Sequence, residues 1–140
     1  MNQPYFVLDS FALLAFFRAE TAGARVRELL EQAQAGEIAL SITTVNLGEV
    51  FYRAVRERGL EQAHEMLGRV EEFSIEIADV DLELALMAAS LKAASGIGYA
   101  DCFAAALAQR LGGTVVTGDP DFRQLEGLIT VEWLPLAQPQ

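Results

Sequence analysis

The chain has few of the residues on which histidine or thiol chemistry depends. It contains one cysteine, Cys102, and one histidine, His64, among its 140 residues. A single cysteine excludes a disulfide within the chain, and the two residues cannot form the Cys and His clusters that bind zinc. Neither residue stands in a nucleophile signature. We therefore interpret His64 as a surface histidine on a helix and Cys102 as a thiol in the core.

Basic residues and long apolar runs are also scarce. Ten Lys and Arg residues against twenty Asp and Glu residues give a net charge of −10. This charge favours solubility and argues against a broad basic surface for nucleic acid. No apolar stretch approaches the roughly 18 residues of a membrane-spanning helix, and the N-terminal residues lack the basic region of a secretory signal. We expect a cytoplasmic protein without a membrane segment.

Apolar residues, in contrast, are abundant. They make up 52% of the chain, which is enough to bury a core without disulfides or structural metals. The length is that of one ordinary domain. We therefore predict a single domain over residues 1–135 and a loose tail over residues 136–140.

Short apolar segments alternate with helical patterns along the chain. Strands are predicted at residues 5–8, 38–42, 73–77, 114–117 and 129–131. Helices are predicted at residues 11–18, 44–58, 60–72, 82–94 and 99–111, with a further helix that Thr21 caps and Gly36 ends, and a short one that opens at Pro120. The nearly all-apolar helix 82–94 is expected to be buried or to form an interface. The alternation predicts an α/β fold with a mainly parallel central sheet covered on both faces.

Four acidic residues stand where the ends of these elements meet. Asp9 directly follows the first strand, and Asp119 follows the strand 114–117 after one glycine. Asp101 lies in the first turn of the helix that feeds this strand, and Glu49 lies near the start of its own helix. Parallel sheets bind ligands beyond the carboxyl ends of their strands. We therefore expect the four carboxylates to meet at one edge of the sheet.

Such a cluster suits a hard divalent cation. Clustered carboxylates repel one another, and a cation removes that cost. Mg²⁺ prefers oxygen ligands and often bridges to substrate phosphates. A pair of such ions can activate a water and stabilise the leaving oxygen of a phosphodiester. Since no histidine or thiol is available, a metal is the expected source of the nucleophile.

Each acid also has an ordinary structural explanation. Asp9 and Asp119 could cap helices, Asp101 could interact with a helix dipole, and Glu49 could pair with Arg53. The residues alone therefore leave open whether they form a site or four local contacts.

Four sequence motifs decide between these interpretations. They are VLDSFALLA at residues 7–15, the segment 44–49 leading into its helix, YADCFAA at residues 99–105, and VTGDPDF at residues 116–122. With these motifs in this order, the sequence resembles the PIN-domain ribonucleases, most closely the VapC toxins of bacterial toxin–antitoxin pairs. The resemblance covers nearly the whole chain. Phe11 departs from it mildly, because a small residue is common at that position.

The resemblance implies a PIN-like three-layer α/β/α sandwich and an endoribonuclease that uses Mg²⁺, with Mn²⁺ as a substitute. It implies an RNA substrate, a small antitoxin that blocks the pocket, and a homodimer. Its principal metal ligands would be Asp9 and Asp101. The other implied site residues are Glu49 and Asp119, which complete the catalytic pocket, Asp121 as a neighbouring ligand, and Thr117 and Ser10 as supporting residues.

The substrate side of the site is predicted from two arginines. Arg53 and Arg56 lie four and seven residues beyond Glu49, on the same helical face, where they could hold phosphates. Arg18 and Arg123 are further candidates for the same role. The alternative for these arginines is a solvated ion-pair face. Because the chain is acidic, we expect a structured, selective RNA substrate rather than bulk RNA degradation.

Three rival functions remain open. A receiver domain needs paired acids after its first strand and a lysine near its last, whereas here Ser10 follows Asp9 and the only lysine is Lys92. An interaction module could keep the scaffold with an inactive site. A nuclease of this type could also act on DNA, since the choice depends on contacts with the 2′-hydroxyl.

Overall fold

Five parallel strands form a single sheet in the computed structural model, which describes residues 3–136. Their spatial order is β3-β2-β1-β4-β5, and every neighbouring pair is parallel. The chain therefore adds β2 and β3 on one side of β1 and then crosses back to add β4 and β5 on the other side. The strands are β1 (Tyr5–Leu8), β2 (Ala39–Thr43), β3 (Ile75–Ala78), β4 (Thr114–Thr117) and β5 (Thr130–Trp133).

Helices connect the strands and cover both faces of the sheet. They are α1 (Ser10–Phe17), α2 (Gly23–Gln34), α3 (Thr44–Arg58), α4 (Leu60–Glu72), α5 (Leu82–Ala93) and α6 (Tyr99–Leu111), with a 3-10 helix at Pro120–Leu125 between β4 and β5. The predicted strands and helices all form. Five of them have the predicted bounds, and the others shift at one or both ends by one or two residues. The predicted three-layer α/β/α sandwich with a parallel sheet is confirmed.

The two faces of the sheet carry separate cores. Leu8 and Val116 pack with α1 to α4 on one face, whereas Val7 and Val115 pack with α5, α6 and the 3-10 helix on the other. Neighbouring residues in a strand point to opposite faces, so an apolar pair in each of β1 and β4 serves both cores. This explains why the central strands are uninterrupted apolar runs.

The start of α2 differs from the prediction. Thr21 does not cap this helix: it begins at Gly23, with Ala22 as its N-cap residue and no side-chain cap. A Cβ atom at Gly23 would lie 2.7 Å from the carbonyl oxygen of Ala15 and 2.9 Å from the Cα atom of Phe16. The close approach of α2 to α1 therefore sets the helix start, and this tertiary contact overrides the local capping signal.

Helix α5 is buried along only one side. Leu84, Ala88 and Leu91 are in the core, but Leu82 and Leu86 are 74% and 59% exposed. Of the two predicted explanations for its apolar sequence, complete burial is therefore wrong. Within residues 3–136, no helix is long and apolar enough to cross a membrane. Most of the predicted loose tail, residues 137–140, lies outside the described residues.

Candidate active site

A pocket of about 330 Å³ opens at the carboxyl edge of the sheet, and its lining includes Asp9, Glu49, Asp101 and Asp119. Asp9 follows β1, and Asp119 follows β4, which is the neighbour of β1 in the sheet. The chain leaves β1 towards β2 on one side and returns to β4 on the other. Parallel sheets form ligand-binding crevices at such switch points. The expected meeting of the four acids at one edge is therefore observed.

Asp9 is fixed by contacts on both carboxylate oxygens. It is 1% exposed, and its Oδ1 accepts a hydrogen bond of 2.8 Å from the backbone N–H of Ala12 in the first turn of α1. Its Oδ2 accepts a hydrogen bond from the hydroxyl of Thr117, at the end of β4. The capping explanation for Asp9 is therefore correct, and the same side chain also lines the pocket.

Burial makes Asp9 a weak acid for its type. Its pKa is raised from 3.8 to about 7, mainly by loss of solvent and also by the charges of Asp101 and Asp119, against the lowering effect of the hydrogen bonds from Thr117 and Ala12. The negative charge of this carboxylate is poorly compensated at neutral pH. A positively charged group in the pocket would stabilise it.

The loop after β4 holds Asp119 by a short chain of hydrogen bonds. The backbone N–H of Asp119 donates to Thr117 Oγ1 over 3.0 Å, and Asp119 Oδ1 accepts from the N–H of Asp121 over 2.9 Å. Gly118 lies against the ring of Phe11, where a Cβ atom would come within 2.7 Å of Phe11 Cζ. The absence of a side chain at Gly118 thus lets the loop close over α1.

Asp101 and Glu49 complete the acidic cluster. The pKa of Asp101 is raised from 3.8 to about 7, mainly by burial and also by the charges of Asp119, Glu49 and Asp121, while Arg53 lowers it. Glu49 Oε1 is buried and has no hydrogen-bond partner among the described residues. Glu49 also forms no salt bridge with Arg53, so the predicted alternative of a simple ion pair is wrong. A buried carboxylate oxygen without a partner is costly.

Asn46 is a buried polar residue that the sequence did not single out. It is 0% exposed, and its Nδ2 donates to the carbonyl oxygen of Ala100 over 3.0 Å. The Thr43 hydroxyl contacts Asn46 Oδ1 over 2.6 Å and accepts from the Asn46 N–H over 3.0 Å. Asn46 therefore joins the first turn of α3, which leads to Glu49, to the residue that precedes Asp101.

The residues of the pocket fit a hard divalent cation. All the acidic groups offer oxygen atoms, which Mg²⁺ and similar ions prefer, and Glu49 Oε1 has no other partner in the described part of the chain. Within residues 3–136, no group of three His, Cys, Asp or Glu side chains is arranged to hold an ion as it stands.

The other predicted site residues fall at different distances from the pocket. Ser10 and Arg53 line the pocket, and the Thr117 hydroxyl donates a hydrogen bond to Asp9. Asp121 and Arg56 are not among its lining residues, although Asp121 is near enough to affect the pKa of Asp101. Arg18, a further predicted phosphate-binding candidate, also lines the pocket, and so does Tyr99, for which no role was predicted. Tyr99 lies in the YADCFAA motif, and that position was the only signal for it.

Solved structures of toxin–antitoxin proteins share this fold. VapBC2 from Rickettsia felis, bound to a DNA fragment from its promoter, has 18% identity and a TM-score of 0.72, with 94% of this chain and 99% of that chain covered. VapC20 from Mycobacterium tuberculosis, described as a toxin that cleaves the sarcin–ricin loop, has 18% identity and a TM-score of 0.70, with the same coverage. VapBC-5 from Mycobacterium tuberculosis has 26% identity, a TM-score of 0.61, and coverage of 94% and 98%.

A comparison of sequences gives the family directly. No curated protein matches the chain significantly. The family described as "PIN domain" matches residues 6–128, a range that contains all four acids of the pocket, the whole of β4 and all but the first residue of β1. The resemblance inferred from the sequence motifs is thus confirmed, and the chain belongs to the PIN-domain family.

Proposed function

We propose that the protein is a metal-dependent endoribonuclease and the toxin of a VapBC-type toxin–antitoxin pair. One observation carries the proposal: Asp9, Glu49, Asp101 and Asp119, from four distant segments, line one pocket at the carboxyl edge of the sheet. Two of these carboxyl groups have a pKa raised to about 7. A buried group of acids with perturbed pKa values in a cleft is typical of a catalytic site.

Each acid has a distinct part in the proposed chemistry. Asp9 and Asp101 hold Mg²⁺, or Mn²⁺ in its place, while Glu49 and Asp119 complete the ligand set and Asp121 contributes from the rim. A bound divalent cation of this kind supplies an activated water for attack on the phosphodiester and stabilises the leaving oxygen. Thr117 keeps the Asp9 carboxylate oriented through its hydroxyl, and Ser10 supports the pocket wall. Residues that hydrogen-bond to metal ligands, as Thr117 does to Asp9, affect the affinity for the metal.

The substrate and partners follow from the similar structures. VapC20 is described as cleaving the sarcin–ricin loop, which supports RNA as the substrate, and an acidic protein suits a selective one. Several of the similar structures are toxin–antitoxin complexes, which supports a small antitoxin that blocks the pocket. A homodimer is proposed through the exposed side of α5. A short reading frame next to this gene would agree with the toxin role.

The rival functions fit the residues less well. Lys92 does not serve the pocket, because its Nζ donates to the carbonyl oxygen of Ile97 over 2.7 Å, and this argues against a receiver domain. An inactive PIN scaffold would not need to retain four converging acids. If the site were inactive, Mn²⁺ would not raise the melting temperature of the protein.

The decisive test is cleavage of RNA by the purified protein with Mg²⁺ or Mn²⁺, compared with EDTA. We expect cleavage only with the metal, and a loss of at least roughly a hundredfold in Asp101→Asn, since one ligand is removed. The matched control is Asp79→Asn, which removes one exposed acid that does not line the pocket. Cleavage that persists in EDTA, or equal activity in both variants, would contradict the proposal. A DNA strand of the same sequence tests the alternative substrate.

A further inference from the structure

A second recess adjoins the acidic pocket and is lined mainly by arginines. Its lining consists of Arg18, Tyr52, Arg53, Arg56 and Glu57. Arg18 and Arg53 also line the acidic pocket, so the two depressions share a wall. The surface thus changes within one helix from the acids that would hold a cation to a cluster of guanidinium groups.

The charges on α3 are available for a ligand. Arg53 and Arg56 are exposed and form no salt bridge with any residue in the range 3–136. The one acid of the recess, Glu57, is already paired with Arg18, whose Nε donates to it over 3.2 Å. The chain as a whole has a net charge of −10. Arg53 and Arg56 are therefore a local cluster of positive charge beside the acidic pocket and not part of a broad basic surface.

Tyr52 adds an aromatic face to these charges. Its side chain is 41% exposed, so one face of the ring is accessible to a ligand. The guanidinium group of Arg56 lies 5.0 Å from the centre of the ring, so ring and cation form one platform. Exposed aromatic rings beside arginines are the usual means of holding unpaired bases, because every base has a face that can stack.

We propose that Tyr52, Arg53 and Arg56 form a strip that binds the single-stranded RNA segment next to the bond cut in the acidic pocket. This inference rests on the proposed nuclease function. Arg53, at the wall shared by both depressions, contacts the phosphate nearest the acids. Arg56 contacts the next phosphate, since three residues of helix advance by about 4.5 Å. Tyr52, whose ring lies beside Arg56, stacks on an adjacent base. Duplex RNA is excluded as the ligand, because its bases are not free to stack.

The test measures RNA binding separately from cleavage. A fluorescent, mixed-sequence single-stranded RNA is titrated in EDTA, with fluorescence anisotropy as the readout, against the full chain and its variants. We expect Arg53→Ala and Arg56→Ala each to raise Kd several-fold and to reduce the salt dependence of binding by about one ion per charge removed. Tyr52→Ala should raise Kd by about fivefold or more, whereas Tyr52→Trp should bind as the wild type does.

Arg27→Ala is the matched control. It removes one exposed arginine of α2 that forms no salt bridge among the described residues and lines neither depression, so it reproduces the change in net charge. Equal effects of Arg27→Ala, Arg53→Ala and Arg56→Ala would overturn the strip, as would equal binding of a duplex. RNA cleavage by the wild type in Mg²⁺ is assayed in parallel. If the wild type cleaves RNA but the strip variants bind it normally, only the strip is wrong. If the wild type does not cleave RNA, the nuclease function itself is wrong.

Discussion

At the scale of single residues, two buried carboxyl groups dominate the electrostatics of the pocket. The pKa values of Asp9 and Asp101 both lie near 7 because burial and neighbouring acids disfavour their charged forms. The folded protein therefore holds protons that the unfolded chain has already released between about pH 4 and pH 7. Over this range the stability contributed by the protonated groups is lost as the pH rises.

We predict that Asp101→Asn stabilises the metal-free protein at high pH and not at low pH. At pH 8 the wild type carries a repelled charge at this position and the variant does not, so the melting temperature in EDTA should rise by roughly 3 °C or more. At pH 4.5 the wild-type carboxyl is protonated, and an amide of the same shape should change little.

Melting curves in EDTA at both pH values test this prediction, with Asp79→Asn as the control for removal of an exposed charge. A lower melting temperature of Asp101→Asn at pH 8 would show that Asp101 has a structural role instead. Added Mg²⁺ should stabilise the wild type more than the variant.

Individual side chains were predictable from the sequence only where a motif or an element end marked them. The four acids follow strands or begin helices, so their meeting at one edge follows from topology. Tyr99 lies in a motif but had no role assigned to it, and nothing in the sequence placed Arg18 at the acidic pocket. Arg18 reaches the pocket because it leaves the end of α1 and pairs with Glu57 on α3, a contact between positions 39 residues apart.

At the scale of secondary-structure elements, the relative placement of α3 and α6 depends on Asn46. This residue contacts Thr43 within its own helix start and Ala100 at the start of α6. Glu49 lies three residues after Asn46, and Asp101 directly follows Ala100. The hydrogen bond from the Asn46 side chain to Ala100 therefore helps to set the distance between the two acids. Asn46 is a positioning residue, because it reaches the site only through its neighbours.

We predict that Asn46→Ala lowers both stability and activity. Loss of the amide removes the hydrogen bond to the Ala100 carbonyl and leaves the buried Thr43 hydroxyl without its acceptor, at a cost of about 1–3 kcal/mol, and the melting temperature should fall by roughly 3–10 °C. A small displacement of Asp101 should also reduce the rate of RNA cleavage by about tenfold or more at temperatures where the variant is folded.

The control is Ser90→Ala, which removes an exposed hydroxyl that donates to Leu86 within α5. It should melt and cleave as the wild type does. If Asn46→Ala loses stability but keeps the full cleavage rate and metal affinity, its role is structural alone.

The alternation of strands and helices was predictable, but the boundaries set by packing were not. Thr21 has the right side chain to cap a helix, yet α2 begins at Gly23, where α1 comes too close for a Cβ atom. The predicted strand 73–77 likewise lies at Ile75–Ala78, because the end of α4 uses the N–H of Phe73. The helix and strand propensities of single residues do not predict such contacts between elements.

At the scale of the whole molecule, one side of α5 is left without a partner. Leu82 and Leu86 are 74% and 59% exposed, and the 46% exposed ring of Tyr99 lies nearby, with its hydroxyl donating to Ala85. Exposed apolar groups that cluster in this way are typical of contact surfaces between proteins. The position of Tyr99 at the pocket rim would bring such a contact close to the active site.

We predict that the protein is a dimer in solution and that Leu86→Glu makes it a monomer. A carboxylate in the centre of an apolar contact loses its hydration, and the net charge of −10 on each chain already opposes association. Sedimentation velocity over a concentration series tests this. Leu128→Glu, at a leucine that is 53% exposed elsewhere on the surface, should remain dimeric. A wild type that is monomeric at every concentration would contradict the prediction.

The contact between Phe11 and Gly118 links two positions that are far apart in the sequence. The ring occupies the space that a side chain at position 118 would need, so the bulk allowed at one site depends on the bulk present at the other. A small residue at position 11 would leave room for a side chain at position 118. In this chain the ring of Phe11 fills that space. A substitution that adds a side chain at position 118 should therefore require a smaller residue at position 11, whereas a smaller residue at position 11 is compatible with Gly118.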